Sequence, residues 1–237
     1  MPVSVISAGG LFSGPQLWNC GSEGLIHESR EGGQTEDGWG SWATLLAASA
    51  PMLVPVKVAD IVLGFVFHQL QRSSTTVNLA PHATAILEAP DVGTLNQGYV
   101  TASLPGGVTG YGVFRQTVAG VPDQEAVVPL ANSTSTTSTL SWDDTFYTTG
   151  VAIANPSTVP VTVSITVWNS SGVVIGTASV PLAAGSKMEA ALRSISGLSA
   201  VVGNRGSAQF TVSSGSVAVL GLRFNGTAFT SIPTEQE

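Results

Sequence analysis

Three histidines are the strongest candidates for chemistry in this chain of 237 residues, and His27, His68 and His82 all fall within its first 82 positions. Cys20, Glu23, Glu28 and Glu31 lie close to the first of them. Imidazole nitrogens with carboxylate or thiolate form the donor set of zinc and copper sites, and an open position on such a metal activates water. A metal-dependent hydrolase built on these residues is one reading. Their spacings fit no recurrent ligand pattern, so isolated surface histidines are the competing account. Serine is abundant, but an activated serine needs a base within hydrogen-bond reach, and there are no further histidines to serve. No G-x-S-x-G elbow, H-E-x-x-H zinc helix, phosphate-cradling glycine loop or EF-hand loop occurs.

Acidic pairs beside aromatic residues are the second kind of candidate. Glu36-Asp37 precedes Trp39 and Trp42, and Asp143-Asp144 follows Trp142 and precedes Phe146 and Tyr147. Carboxylates at the mouth of a β-sandwich hold calcium together with backbone carbonyls, which makes Asp143 and Asp144 a candidate calcium pair; solvated loop charges are the alternative. An exposed tryptophan next to a carboxylate also stacks on and hydrogen-bonds a sugar ring, so Trp39 and Trp142 are candidate ligand contacts.

The elements that must position these residues announce themselves by repetition. Trp42 to Pro51 (WATLLAASAP) resembles Tyr147 to Pro156 (YTTGVAIANP) 105 residues later, and Val54-Pro55-Val56 resembles Val159-Pro160-Val161 at the same offset. Val77-Asn78-Leu79-Ala80 matches Val180-Pro181-Leu182-Ala183 at 103, and Asn96-Gln97-Gly98 matches Asn204-Arg205-Gly206 at 108. Gly112 matches Gly221 at 109, and Val128-Pro129 matches Ile232-Pro233 at 104. Drifting offsets are what two copies give when strands persist and loops vary in length. Arg115 and Arg223 fall near one place in the two copies, where a buried ion pair or an edge-blocking charge would explain them.

Composition agrees with strands. Charged residues are 10% of the chain, too few for solvent-facing helices, while Gly, Ser, Thr and Val dominate. The net charge of −7 with scattered cations argues against nucleic acid and against an anionic membrane surface. Pro51, Pro55, Lys57 and Asp60 interrupt the longest apolar stretch, which excludes a bilayer-spanning helix there. Met1 to Ile6 lacks the cationic start and apolar length of a signal peptide. Cys20 is the only cysteine, so no intrachain disulfide forms.

These signals divide the chain into residues 1–35, an N-terminal arm expected to be irregular or disordered; 36–130, a first β-sandwich; 131–141, a Ser/Thr linker; and 142–237, a second β-sandwich. In the second, seven strands are expected: 148–154, 159–168, 173–182, 187–192, 207–213, 217–224 and 228–232. Apolar Val159, Val161, Val163, Ile165 and Val167 alternate with polar residues, the period of a strand with one buried face, and Asn169-Ser170-Ser171-Gly172 supplies a turn. The expected fold class is all-β, two tandem immunoglobulin-like sandwiches without the Cys-Trp-Cys core of antibody domains.

The segments GYGVFRQ, QEAVVPL, TTGVAIANPS, GSAQFTV and GLRFNGTAFTSIP resemble β-sandwich modules that recur near the C-termini of large secreted proteins of soil bacteria. The resemblance implies a secreted or surface-displayed module and carries no functional residues with it. The function expected from all this is a non-catalytic binding or spacer module recognising a glycan or protein partner outside the cell. The metal-dependent hydrolase using His27, His68 and His82 with zinc or copper is the alternative.

Overall fold

A computed structural model describes residues 2–6, 38–47, 52–59, 74–89, 99–104, 107–117, 120–129 and 135–236. The N-terminal strands are β1 (Pro2–Ile6), β2 (Gly38–Ala47), β3 (Met52–Ala59), β4 (Ser74–Leu79), β5 (Thr84–Ala89), β6 (Tyr99–Ser103), β7 (Val108–Thr117) and β8 (Gln124–Pro129). The C-terminal strands are β9 (Thr137–Asp143), β10 (Thr148–Ala154), β11 (Val161–Asn169), β12 (Val174–Leu182) and β13 (Lys187–Ala191), then β14 (Arg205–Val212), β15 (Ala218–Asn225), β16 (Ala228–Ile232) and β17 (Thr234–Gln236). Two 3-10 turns, Leu192–Ser194 and Ser199–Val201, separate β13 from β14. No helix among the described residues is long and apolar enough to cross a membrane.

All strand pairs are antiparallel, and the C-terminal strands form two sheets, β12-β11-β14-β9-β17 and β13-β10-β15-β16. Their facing sides enclose one core, with Leu140, Trp142, Val163, Ile165, Val167 and Phe210 from the first sheet and Val151, Ile153, Val219 and Ile232 from the second. The alternation along β11 places its valines and Ile165 inward and its Thr and Ser outward. Strands β10 and β15 behave differently. Their apolar runs are nearly continuous, and from Thr149 to Ala154 and Ala218 to Leu222 every residue is buried.

The cause is a third layer. The outer side of the four-stranded sheet, with Ala152, Ala154, Leu220, Leu222, Phe224 and Phe229, packs against Tyr99, Ala126 and Val128 of the N-terminal strands. Two polar contacts pin this junction: the Tyr99 hydroxyl donates to the Gly185 carbonyl at 3.2 Å, and the Ser231 hydroxyl to the Val127 carbonyl at 2.6 Å.

The N-terminal strands form sheets β1-β6-β3-β4 and β5-β2-β7-β8. Replacing β1 to β8 by β9 to β16 in turn reproduces both C-terminal orders apart from the added edge strand β17. The pairing register agrees: Gly112 faces Val128 as Gly221 faces Ile232, and Val54 faces Val77 as Val163 faces Val180. The offsets 103, 104 and 109 read from sequence therefore coincide with structurally equivalent positions, while Asn96-Gln97-Gly98, from which 108 was read, lies outside the described residues. The 105 offset does not. Ala43 faces Gly112 as Val151 faces Gly221, which equates Trp42 with Gly150, and Val54 corresponds to Val163. An aliphatic run looks much the same when slid by three or four residues, and the shared aromatic-threonine start supplied a false anchor. The same register puts Arg115 and Arg223 one position apart, hence on opposite sides of their sheets.

The wiring also differs from the immunoglobulin order. There the first strand lies beside the second and the seventh beside the sixth. Here β9 lies beside β14, and β15 beside β10, so these two strands have exchanged sheets.

Three strands escaped the sequence reading. Pro2–Ile6, assigned to an irregular arm, is β1 and pairs with β6. The tract expected as a linker holds most of β9, where Ser138, Leu140 and Trp142 point inward and Thr137, Thr139 and Ser141 outward. The short β17 completes the five-stranded sheet beside β9. The rest of the arm, residue 1 and residues 7–35, lies outside the described residues.

Glycine permits one close approach of backbones. A Cβ on Gly206 would overlap the Trp168 carbonyl oxygen and stand 2.8 Å from Asn169 backbone atoms. Gly206→Ala is expected to destabilise the protein by about 1–3 kcal/mol, because β14 and β11 must separate. Urea unfolding measures this; an unchanged midpoint would mean that the strands part without cost.

Candidate functional site

His82 is exposed in the turn between β4 and β5, with φ 60°, a left-handed conformation that Gly185 shares at the equivalent turn with φ 66°. His27, His68, Cys20, Glu23, Glu28 and Glu31 lie outside the described residues. Among the described residues no three His, Cys, Asp or Glu side chains come together as a metal site. Trp39 lies in β2 opposite Gln116. Trp142 is only 2% exposed and forms part of the core, so neither face of its ring is open to a sugar.

The acidic pair is engaged with the protein itself. Asp143 Oδ1 accepts hydrogen bonds from the Thr145 backbone N–H at 3.0 Å and from its hydroxyl at 2.5 Å. These bonds hold the Asp143 carboxyl below the ordinary carboxylate range. Asp144 is buried. Its Oδ1 accepts from the Thr149 N–H at 2.8 Å, and its Oδ2 stands 2.9 Å from Arg193 Nε. Burial pushes its carboxyl up, against the pull of Thr149 and Arg193. Arg193 also donates through Nη2 to the Tyr147 carbonyl and the Thr148 hydroxyl. The Arg223 guanidinium lies over the Tyr147 ring, 5.3 Å from its centre. With one Asp144 oxygen hydrogen-bonded to Thr149 and the other ion-paired with Arg193 without a hydrogen bond, this cluster ties the β9–β10 loop to the turn after β13, and the guanidinium already supplies the positive charge there.

A different surface has the form of a binding site. On the outer side of β12-β11-β14-β9, register aligns Ser179, Ser164, Thr211 and Thr137 in one row. The next row is Thr177, Thr166, Gln209 and Thr139. Rows are about 7 Å apart along the strands and neighbours about 5 Å apart across them. Of these hydroxyls, Thr211 donates to the Ser164 carbonyl at 3.4 Å; the others make no hydrogen bond within the described residues. Charged side chains keep to the margins, with Asp143 and Arg205 at one end and Glu235 on β17.

Each end of β11 adds an apolar element. Trp168, half-buried, follows Thr162, Ser164 and Thr166 on the outward positions and sits opposite Ser207. The β11–β12 register shifts between Val167 and Trp168, a bulge of the kind that re-aims a side chain beside a functional surface. At the other end an open hollow of about 460 Å³ is lined by Pro160, Thr162, Pro181, Ala183, Ser213 and Ser214. Buried Asn155 braces its rim, its Nδ2 donating to the carbonyls of Val159 at 2.8 Å and Ala183 at 2.9 Å.

No family model, curated protein or solved structure matches this chain. Its function must therefore be argued from these surfaces. Trp168 was legible in the sequence: the alternation that sends Val161, Val163, Ile165 and Val167 inward sends residue 168 outward. The hollow was not, because its lining comes from three segments distant in sequence.

Proposed function

We propose that the chain is a non-catalytic recognition module of a secreted or surface-anchored bacterial protein. It consists of two tandem β-sandwiches of one wiring, and the second presents the outer side of its five-stranded sheet to a glycan or protein partner. The observation that carries this reading is the contrast between the two outer sides of the C-terminal sandwich. One is apolar and covered by the N-terminal strands; the other bears unspent hydroxyls, with Ser164, Thr177 and Ser179 exposed. The N-terminal sandwich then acts as support and spacer. Sparse charge and hydroxyl-rich strands suit a protein displayed outside the cell.

The test places a charge at the centre of the open side. Ser164→Arg is expected to change stability by less than about 0.5 kcal/mol, since residue 164 faces solvent. Binding to whichever ligand a glycan array or surface-protein panel identifies should fall about tenfold or more, because the guanidinium must be desolvated against an uncharged partner. Binding equal to that of the unaltered protein would remove this surface from consideration.

A further inference from the structure

We infer that the ligand is a linear, uncharged polysaccharide lying along β11, with one sugar ring against Trp168 and another in the hollow between Pro160 and Pro181. This rests on the recognition reading above and specifies its ligand.

Charge complementarity selects the polymer. Although the chain carries a net charge of −7, the two hydroxyl rows hold no charged side chain on β12, β11, β14 or β9, and the row through Thr139 meets a carboxylate, Glu235, only on the edge strand β17. An anionic polymer finds no cation along this track, and a cationic one finds carboxylates only at its margins. A neutral polyol matches it throughout, because each hydroxyl both donates and accepts. Protein partners are disfavoured by the layout: protein interfaces concentrate aromatic and arginine anchors in a dry centre ringed by polar groups. Here the centre is polar, and the apolar elements stand at the two ends.

Length selects a chain over a single sugar. Thr162 and Trp168 are six residues apart on an extended strand, about 20 Å. One ring, or two linked rings, cannot touch both ends. The indole of Trp168 and the proline rings of the hollow offer flat apolar surfaces to the C–H faces of sugars, while the hydroxyl rows between them exchange hydrogen bonds with the intervening rings. Because the track is backbone-paired sheet throughout, little of it has to be ordered on binding.

The experiment uses the full chain with hydroxyethyl cellulose, xyloglucan and a soluble β-1,3-glucan in affinity electrophoresis, with polygalacturonate as the anionic control. Calorimetry then compares a disaccharide and a hexasaccharide of whichever polymer retards the protein. The hexasaccharide is expected to bind about tenfold tighter than the disaccharide, and Trp168→Ala to lose up to about tenfold, the worth of one stacked aromatic. Thr162→Arg, at the hollow, should lose a similar factor, with the thermal midpoints of both variants unchanged. Retardation by a neutral polymer that Ser164→Arg abolishes, but that is indifferent to Trp168→Ala and to chain length, would overturn the track while keeping the recognition surface. Preference for polygalacturonate would overturn the neutral-ligand assignment. Indifference to Ser164→Arg, or absence of retardation by any neutral polymer, would overturn both the track and the glycan reading.

Discussion

Arg193→Ala is expected to lower the unfolding free energy by about 3–5 kcal/mol, a large part of what a domain of this size possesses. The Asp144 side chain is fully buried and that of Arg193 is 16% exposed, so removing the guanidinium leaves a carboxylate with no countercharge in a dry place. The same side chain holds the Tyr147 carbonyl and the Thr148 hydroxyl, which start β10. Replacing both partners by apolar residues, Asp144→Leu with Arg193→Met, should recover most of the loss. What is left over, about 1–3 kcal/mol, is the Thr149 N–H deprived of its acceptor together with the Tyr147 carbonyl and the Thr148 hydroxyl deprived of their donor. Urea unfolding of the three proteins checks this, and a double variant no better than Arg193→Ala would show that the cost is lost packing. The pH dependence has a definite sign. The folded carboxyl of Asp144 titrates above its ordinary value of 3.8. Its contribution is therefore whole below that value and declines as pH rises through the folded one. The stability of wild type relative to Asp144→Asn should fall as pH increases upward from about 3.8; Asp143, whose opposite shift comes first from its bonds to Thr145, is present in both.

The strands were more legible than the surface they build. Thr148–Ala154 and Ala228–Ile232 were read from sequence with the boundaries the structure gives, and five more strands agree within two residues at each end. Apolar alternation and turn glycines such as Gly172, with φ 75°, were sufficient for this. Strand β9 was missed because a run of Thr and Ser with one Leu looks like a linker until the inward positions are counted. Its small inward Ser138 fits beside Phe210, the residue it faces across the sheet. The exchange of β9 and β15 between sheets was beyond reach, since alternation tells which side of a strand is buried and nothing of which neighbour it pairs with. The double burial of β10 and β15 was written in their continuous apolar runs, yet the partner that covers their second side, with Tyr99, Ala126 and Val128, comes from other strands earlier in the chain. Candidate chemistry suffered from the same limit. Asp143-Asp144 looked like a cation pair because sequence shows adjacency, whereas Arg193, which answers Asp144, lies about fifty positions away.

Trp142→Ala is expected to cost about 3–5 kcal/mol and to leave the ligand specificity of any surviving folded protein unaltered. The ring is among the largest fully buried side chains and belongs to the same core as Leu140, Ile165 and Phe210. Its removal leaves a cavity that paired strands on both sides cannot close. The indole N–H has no hydrogen-bond acceptor in the described structure, an expense that buys nothing in stability. Trp142→Phe should consequently be far milder than Trp142→Ala: it gives up part of the packing but also sheds an unsatisfied donor. Trp168→Ala, by contrast, removes a half-buried ring from the outer side and should cost little stability. Chemical denaturation of the three variants, read with their ligand affinities, separates the roles. Trp142 should move the unfolding midpoint alone and Trp168 the affinity alone. The opposite pattern, with Trp142→Phe weakening binding at unchanged stability, would return the site to the β9–β10 end of the sandwich, where the acidic pair first suggested it.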